Sequence, residues 1–226
     1  MRGVVAAGAD IVEVGVPFSD PLADGPVIQA SSQRALAMGM TLEGVLNLVR
    51  EAEVPVPVVL FGYLNPILAA GTEFPERARD AGCDGLLVTD LPVGADPVLE
   101  QRLAATGLAF IRLVAPTTPE RRVREIARAG SGFVYLISRL GVTGERGELD
   151  SALPDTVARV RAATSLPVCV GFGISTPAQA ARVAAIADGV VVGTALVRAA
   201  ERGVDHAVAL VREMREAMDA AAPVAA

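Results

Sequence analysis

The chain has 226 residues, 52% of them hydrophobic and 20% charged, a composition suited to one globular domain of the size of a single α/β barrel. Its net charge of −6 argues against a nucleic-acid surface, no apolar run reaches the roughly 18 residues that span a bilayer, and the opening residues lack a signal-peptide pattern. All 20 basic residues are arginine and there is one histidine, His206, so Schiff-base lysine chemistry, a P-loop of the usual kind and a three-histidine zinc site are excluded.

In chain order, Met1 to Ala7 reads as the last turns of a helix running into Gly8. Strand candidates follow at 10–17, 57–63, 85–91, 109–115, 132–138, 167–172 and 189–193. They are almost continuously apolar, as parallel strands covered by helices are. Helical spacing joins Leu42, Val45, Leu46 and Val49, and again Val123, Ile126 and Ala127. Thr118-Pro119 and Thr176-Pro177 each place a capping hydroxyl before a proline that suits the first helical position. Gly82, Gly107 and Gly130 stand where helices should stop. Such repeated βα units imply a parallel sheet with right-handed crossovers.

The first strand candidate contains an outlier. Glu13 sits among Ile11, Val12, Val14 and Val16, where a buried charge is costly. Burial raises a carboxyl pKa toward the range useful to a general acid/base; the alternative is an exposed glutamate on an edge strand. Asp24 follows in a loop dense in Pro, Gly and Asp. Without lysine, and with the one histidine in a remote polar helix pattern, acid–base work falls on Asp, Glu and Tyr. Cys83 and Cys169 are isolated thiols in apolar contexts, read as reduced, buried residues of a cytoplasmic protein. No His, Cys or carboxylate cluster has metal-ligand spacing.

The remaining signals lie late in the chain. The segment 138–147 is polar, rich in glycine and longer than a minimal βα turn; it reads as a lid closing over substrate or as a plain connector. Gly171-Phe172-Gly173-Ile174-Ser175 and Gly193-Thr194-Ala195 stand at the ends of the last two strands. In barrels such loops, with a short extra helix, bind phosphate through backbone N–H groups. Residues 194–199 can form that helix, ahead of a longer one over 203–218, and 219–226 reads as a frayed tail. Seven βα units make either an open doubly wound sheet or a (β/α)8 TIM barrel short of one strand. A domain that opens on a helix with no strand before it favours the second.

The run from Glu13 through Pro17-Phe18-Ser19-Asp20-Pro21 to Asp24-Gly25-Pro26 closely resembles the signature of the tryptophan synthase alpha subunit. The resemblance continues in order through Tyr63-Leu64-Asn65-Pro66, Asp90-Leu91-Pro92, Tyr135 to Gly144, Gly171 to Ser175 and Gly193-Thr194-Ala195. It implies a single-domain (β/α)8 barrel over residues 1–226, in which strands two to eight are visible and the first strand and most of the first helix are missing. Strands 10–17 and 189–193 would then be unpaired edges. It implies a carbon–carbon lyase of L-tryptophan biosynthesis that cleaves indole-3-glycerol phosphate to indole and glyceraldehyde 3-phosphate. Glu13 would be the acid/base at indole C3 and Asp24 the group that binds the indole N–H. Tyr63 and Tyr135 would lie at the substrate, and Gly144, Phe172, Gly173, Gly193 and Thr194 would hold its phosphate. Thr143, on the lid, would order Asp24, and Asp90 would lie on a mobile loop facing the partner. Thr194 stands where the family usually has serine. The alpha chain itself would carry no cofactor and no metal; pyridoxal phosphate would belong to the partner beta subunit of an alpha2-beta2 heterotetramer. The competing readings are a non-catalytic scaffold that activates beta and a phosphate-binding barrel isomerase.

Overall fold

The computed structural model describes residues 1–138 and 151–221. Helix α1 (Arg2–Ala6) leads into strand β1 (Val12–Gly15), followed by α2 (Pro26–Ala37) and α3 (Leu42–Ala52). Then come β2 (Val58–Gly62), α4 (Leu64–Ala69), α5 (Phe74–Asp80), β3 (Gly85–Val88), α6 (Pro97–Ala104), β4 (Ala109–Val114) and α7 (Glu120–Arg128). The chain continues with β5 (Val134–Ile137), α8 (Leu153–Ala163), β6 (Val168–Gly171), α9 (Pro177–Ala184), β7 (Gly189–Val190), α10 (Thr194–Glu201) and α11 (Val204–Ala221).

The strands pair in parallel and in sequence order from β1 to β7, which is the order of a TIM barrel. Among the described residues β1 and β7 do not pair with each other. Period-two alternation divides every strand between two cores. Val58, Leu60, Leu86, Val88 and Phe110 face outward beneath helices α3 and α5, and Val114, Val134, Leu136, Val168 and Val170 do so beneath α7, α8 and α9. Full burial of each such side chain contributes about 1.5–3 kcal/mol. The inward set is Val59, Phe61, Leu87, Ile111, Phe133, Tyr135, Cys169 and Val191. Glu13 stands level with Val59 in the β1–β2 ladder and so belongs to this inner layer. The sheet curls enough that Tyr135 on β5 and Cys169 on β6 both feel the Glu13 charge from β1.

Local chemistry explains several helix boundaries. Thr176 caps α9 by accepting from Gln179 N–H at 3.3 Å, with the Gln179 side chain closing the reciprocal bond of a capping box. Gly82 and Gly107, at φ +95° and +85°, stop α5 and α6. Gly130 follows the C-cap of α7 as expected, without a positive φ; a Cβ there would lie 2.8 Å from Arg112 Cγ, so the glycine also makes room for an arginine stem. One expectation is corrected: Thr118 does not cap α7; its hydroxyl accepts from Ala115 N–H at 3.1 Å, closing a turn, and Pro119 takes the N-cap position instead. Strand β7 is shorter than 189–193, although Val191 N–H still donates to Val170 O at 2.8 Å. Helix α11 runs through Ala221, three residues into the stretch read as a tail.

Candidate active site

Glu13 enters the barrel from β1. Its Oε1 is buried and has no hydrogen-bond partner among the described residues. Desolvation pushes its pKa from 4.5 up to about 7, and among the described residues no cation pulls it back. The glutamate therefore carries a proton through the lower half of the neutral range and releases it within that range.

Asp24 lies in the loop after β1 and is 4% exposed. Three contacts fix it. Tyr63 Oη donates to Asp24 Oδ2 at 3.0 Å, the Asp24 carbonyl accepts from Gln29 Nε2 at 2.8 Å, and Asp24 N–H donates to Pro21 O at 3.0 Å. Tyr63 Oη in turn accepts from Ala23 N–H at 3.0 Å. Burial raises the Asp24 pKa and the Tyr63 hydrogen bond opposes the rise. The two carboxylates thus differ in kind: Glu13 is desolvated, with Oε1 unpartnered among the described residues, whereas Asp24 is held in place by donors.

Both line a cavity of about 930 Å³ that runs from the inner face of the sheet past β1 and β7 to helices α2 and α11, with Tyr135, Phe172, Gly193 and Thr194 on its wall. Most of the remaining wall is apolar, including Val59, Phe61, Ile111, Phe133 and Val191, so the cavity suits a flat apolar ligand carrying few polar groups. Burial raises the Tyr135 pKa, assisted by Glu13 and Cys169, so Tyr135 is a neutral hydroxyl here.

The two glycine turns differ. Phe172 and Gly173 adopt left-handed φ values of +72° and +85°, which exposes backbone at the mouth of β6. The Ser138 hydroxyl donates to Phe172 O, and the Phe172 ring meets Tyr135 edge-on with centroids 5.8 Å apart. Gly193 is the N-cap of α10 and makes no side-chain cap bond, so the first-turn amides of that helix are open toward an anion. At α9, by contrast, Ser175 and Thr176 N–H groups donate to Gln179 Oε1 at 2.8 and 3.2 Å. The α10 end, not the α9 end, is the available anion cradle.

Glu13, Asp24, Tyr135, Phe172, Gly193 and Thr194 therefore come together around one cavity. Tyr63 does not line it; it stands behind Asp24. Gly173 adjoins the cavity wall through Phe172. Thr143, Gly144 and the expected lid lie outside the described residues. Among the described residues no group of three His, Cys, Asp or Glu is placed to hold a metal ion, and no helix is long and apolar enough to cross a membrane.

Sequence reasoning missed the structural demand at Gly171. A Cβ there would lie 2.6 Å from Tyr135 Cζ and 2.7 Å from Cε1, and would strike the hydroxyl. Gly171→Ala is expected to displace Tyr135 and destabilise the fold by about 1–3 kcal/mol, read as a lowered Tm. Adding Tyr135→Leu should restore stability without restoring activity. A Gly171→Ala protein of unchanged Tm would contradict the packing described.

The model of the tryptophan synthase alpha chain family matches residues 1–224. The chain is 51% identical over 201 residues to the tryptophan synthase alpha chain of Caulobacter sp. (strain K31), covering 87% of this chain and 73% of that one. It is 47% identical over 226 residues to that of Desulfatibacillum aliphaticivorans, covering 98% and 85%. Among solved structures, tryptophan synthase subunit alpha from Legionella pneumophila superposes with a TM-score of 0.88 at 38% identity, covering 97% of this chain and 86% of that one. A Mycobacterium tuberculosis tryptophan synthase chain gives 0.88 at 38%, covering 96% and 84%.

Proposed function

The chain belongs to the tryptophan synthase alpha chain family, and from that premise we propose that Glu13 and Asp24 carry out its cleavage of indole-3-glycerol phosphate. The reaction is the alpha reaction of tryptophan biosynthesis, which makes the protein a lyase. The observation that supports the assignment best is the contrast between the two carboxyls facing one cavity, one desolvated with a pKa of about 7 and one hydrogen-bonded.

Glu13 in its acid form donates a proton to indole C3. The ring becomes an indolenine with positive charge on nitrogen, and the Asp24 carboxylate stabilises that charge at the ring N–H. The C3 to glycerol bond then breaks, and its electrons return to the ring to restore indole. The glycerol hydroxyl loses its proton to the Glu13 carboxylate as the aldehyde forms, and Glu13 ends protonated as it began. The electron sink is the substrate's own ring, so neither lysine nor metal is required. A pKa near the working pH lets one group serve as acid and then base. The open amides of Gly193 and Thr194, with those at Phe172 and Gly173, are proposed to hold the phosphate. Thr143 and Gly144 are proposed to complete the grip, and Tyr135 to shape the pocket beside Glu13.

The family implies a beta-subunit partner. An alpha2-beta2 assembly, with pyridoxal phosphate confined to beta and no cofactor on this chain, is our proposal. Cys83 and Cys169 are free thiols, which suits a reducing cytoplasmic compartment. A barrel that only activates beta is the second reading; an unpartnered Glu13 inside the cavity argues against it, because a scaffold gains nothing from that cost.

The mechanism sets a pH profile. Cleavage requires protonated Glu13, so kcat/KM should fall about tenfold per pH unit above about 7. It also requires ionised Asp24, whose raised pKa defines an acid limb above the ordinary aspartate range. Indole release measured across the neutral range should trace this bell; an alkaline limb absent up to pH 9 would remove Glu13 from the acid role.

A further inference from the structure

We propose that the buried Arg112–Glu100 pair is a positioning device for Asp24, acting through the loop between β3 and α6. The proposal rests on the reading of Asp24 given above.

Arg112 stands on the outward face of β4, where its counterparts Phe110 and Val114 are apolar. It is 4% exposed. Its guanidinium donates from Nη2 to Glu100 Oε2 at 2.6 Å, from Nη1 to Leu91 O at 3.1 Å and from Nε to Ala129 O at 3.2 Å. Its Cζ lies 3.7 Å from the centroid of the Phe110 ring. Glu100 uses its second oxygen to accept from Gly94 N–H at 2.8 Å. Gly130 has no side chain where the Arg112 stem passes. A buried ion pair rarely stabilises a fold more than well-packed apolar residues of the same volume. What apolar residues cannot supply are directed bonds to Leu91, Gly94 and Ala129.

Two of those bonds fall on the β3–α6 loop, and Arg122 adds a third tether at Val93 O. The fixed loop presents Asp90, whose Oδ1 accepts from Leu64 N–H at 2.7 Å. Leu64 is the first residue of α4, and Tyr63, its N-cap, makes no cap bond of its own. Asp90 thus supplies the missing cap from another loop. Thr89 reinforces the seam by donating from its N–H and its hydroxyl to Gly62 O, at 2.9 and 3.0 Å. Tyr63 then donates to Asp24 at 3.0 Å. Bonded contacts run without a gap from Arg112 to the carboxylate proposed to face the indole nitrogen. The phosphate cradle, on β6 and α10, receives none of them.

The test replaces both partners, Arg112→Met with Glu100→Leu, because removing one alone would strand a buried charge. Circular dichroism checks folding, amide exchange is read at Leu64 and Gly94, and kcat and KM are measured for indole release. We expect faster exchange at both amides, a kcat about tenfold lower, and a KM within twofold, since the phosphate grip is untouched. On an Asp24→Asn background the double substitution should lower kcat no further. A folded variant with unchanged kcat and exchange overturns the proposal, as does a full tenfold loss that persists on the Asp24→Asn background. Full activity of Asp24→Asn alone overturns the reading of Asp24, while faster exchange at Leu64 and Gly94 still reports the loop's dependence on the pair. If the apolar pair fails to fold, the neutral pair Arg112→Gln with Glu100→Gln serves: it strands no charge, keeps an acceptor for Gly94 N–H, removes the guanidinium's set of three directed bonds, and should lower kcat a few-fold with faster exchange at Leu64. Wild-type kcat and exchange in the neutral pair overturn the proposal.

Discussion

Replacing Glu13 by Gln should lower kcat for indole release by about 10²–10⁴-fold and, at pH 8, raise thermal stability. The two effects share one cause. Gln keeps the shape but can neither give nor take the proton at C3, so the chemical step loses its acid and its base. Substrate affinity should change little, because the proposed phosphate contacts at Phe172, Gly193 and Thr194 lie elsewhere on the wall, with Gly173 beside them. The stability effect follows from the sign of the shift. The folded-state pKa of about 7 exceeds the ordinary value of 4.5, so the folded chain binds this proton more tightly than the unfolded chain does. The stability this confers is fully present below the ordinary value and lost as pH rises through about 7. Above that pH the fold holds a desolvated charge, and removing it should return about 1–3 kcal/mol, or about 2–12 °C in Tm. The gain should vanish below pH 4. Near-normal turnover in Glu13→Gln, or a Tm lower than wild type at pH 8, would contradict the account.

Asp24→Asn should lower kcat by about 10²–10³-fold, the usual loss when a group aimed at developing charge is removed, with KM nearly unchanged. The variant is structurally mild: the Asn carbonyl can still accept from Tyr63 Oη, and the backbone bonds to Gln29 and Pro21 remain. Its loss should therefore appear in kcat without a fall in Tm. Tyr63→Phe makes the contrast. It leaves Ala23 N–H without its acceptor, which should cost about 1–3 kcal/mol, and affects turnover only by loosening Asp24. If Tyr63→Phe lowered kcat more than Asp24→Asn, Tyr63 rather than Asp24 would be the group at the substrate.

The barrel was legible because its signals are local. Apolar runs separated by helical spacing located all seven described strands, and Thr176-Pro177 located a helix start to the residue. Glu13 stood out because a single acid in an apolar strand violates a short-range pattern. What escaped the sequence was long-range. Arg112, in Phe110-Ile111-Arg112-Leu113, reads as an ordinary exposed position until α6 brings Glu100 over it and Gly130 gives it room. Gly171 resembles any turn glycine until Tyr135 arrives from the neighbouring strand. Tyr63 was placed at the substrate because its motif is shared; spacing alone does not show that its hydroxyl meets the Asp24 carboxylate. Thr118 went astray for a smaller reason: a hydroxyl before proline can cap a helix or close the preceding turn, and the Ala115 N–H was the nearer donor.

The central claim is that Glu13 moves the proton at indole C3, and hydrogen exchange reads that step without any carbon–carbon cleavage. Indole incubated with the protein and glycerol 3-phosphate, which fills the phosphate site but lacks the aldehyde needed for bond formation, in deuterium oxide, followed by proton NMR, should lose its C3 hydrogen signal at a rate well above buffer with the wild-type chain. Asp24→Asn should slow that loss, and Glu13→Gln should leave only the buffer rate. Wild-type exchange in Glu13→Gln would contradict the account.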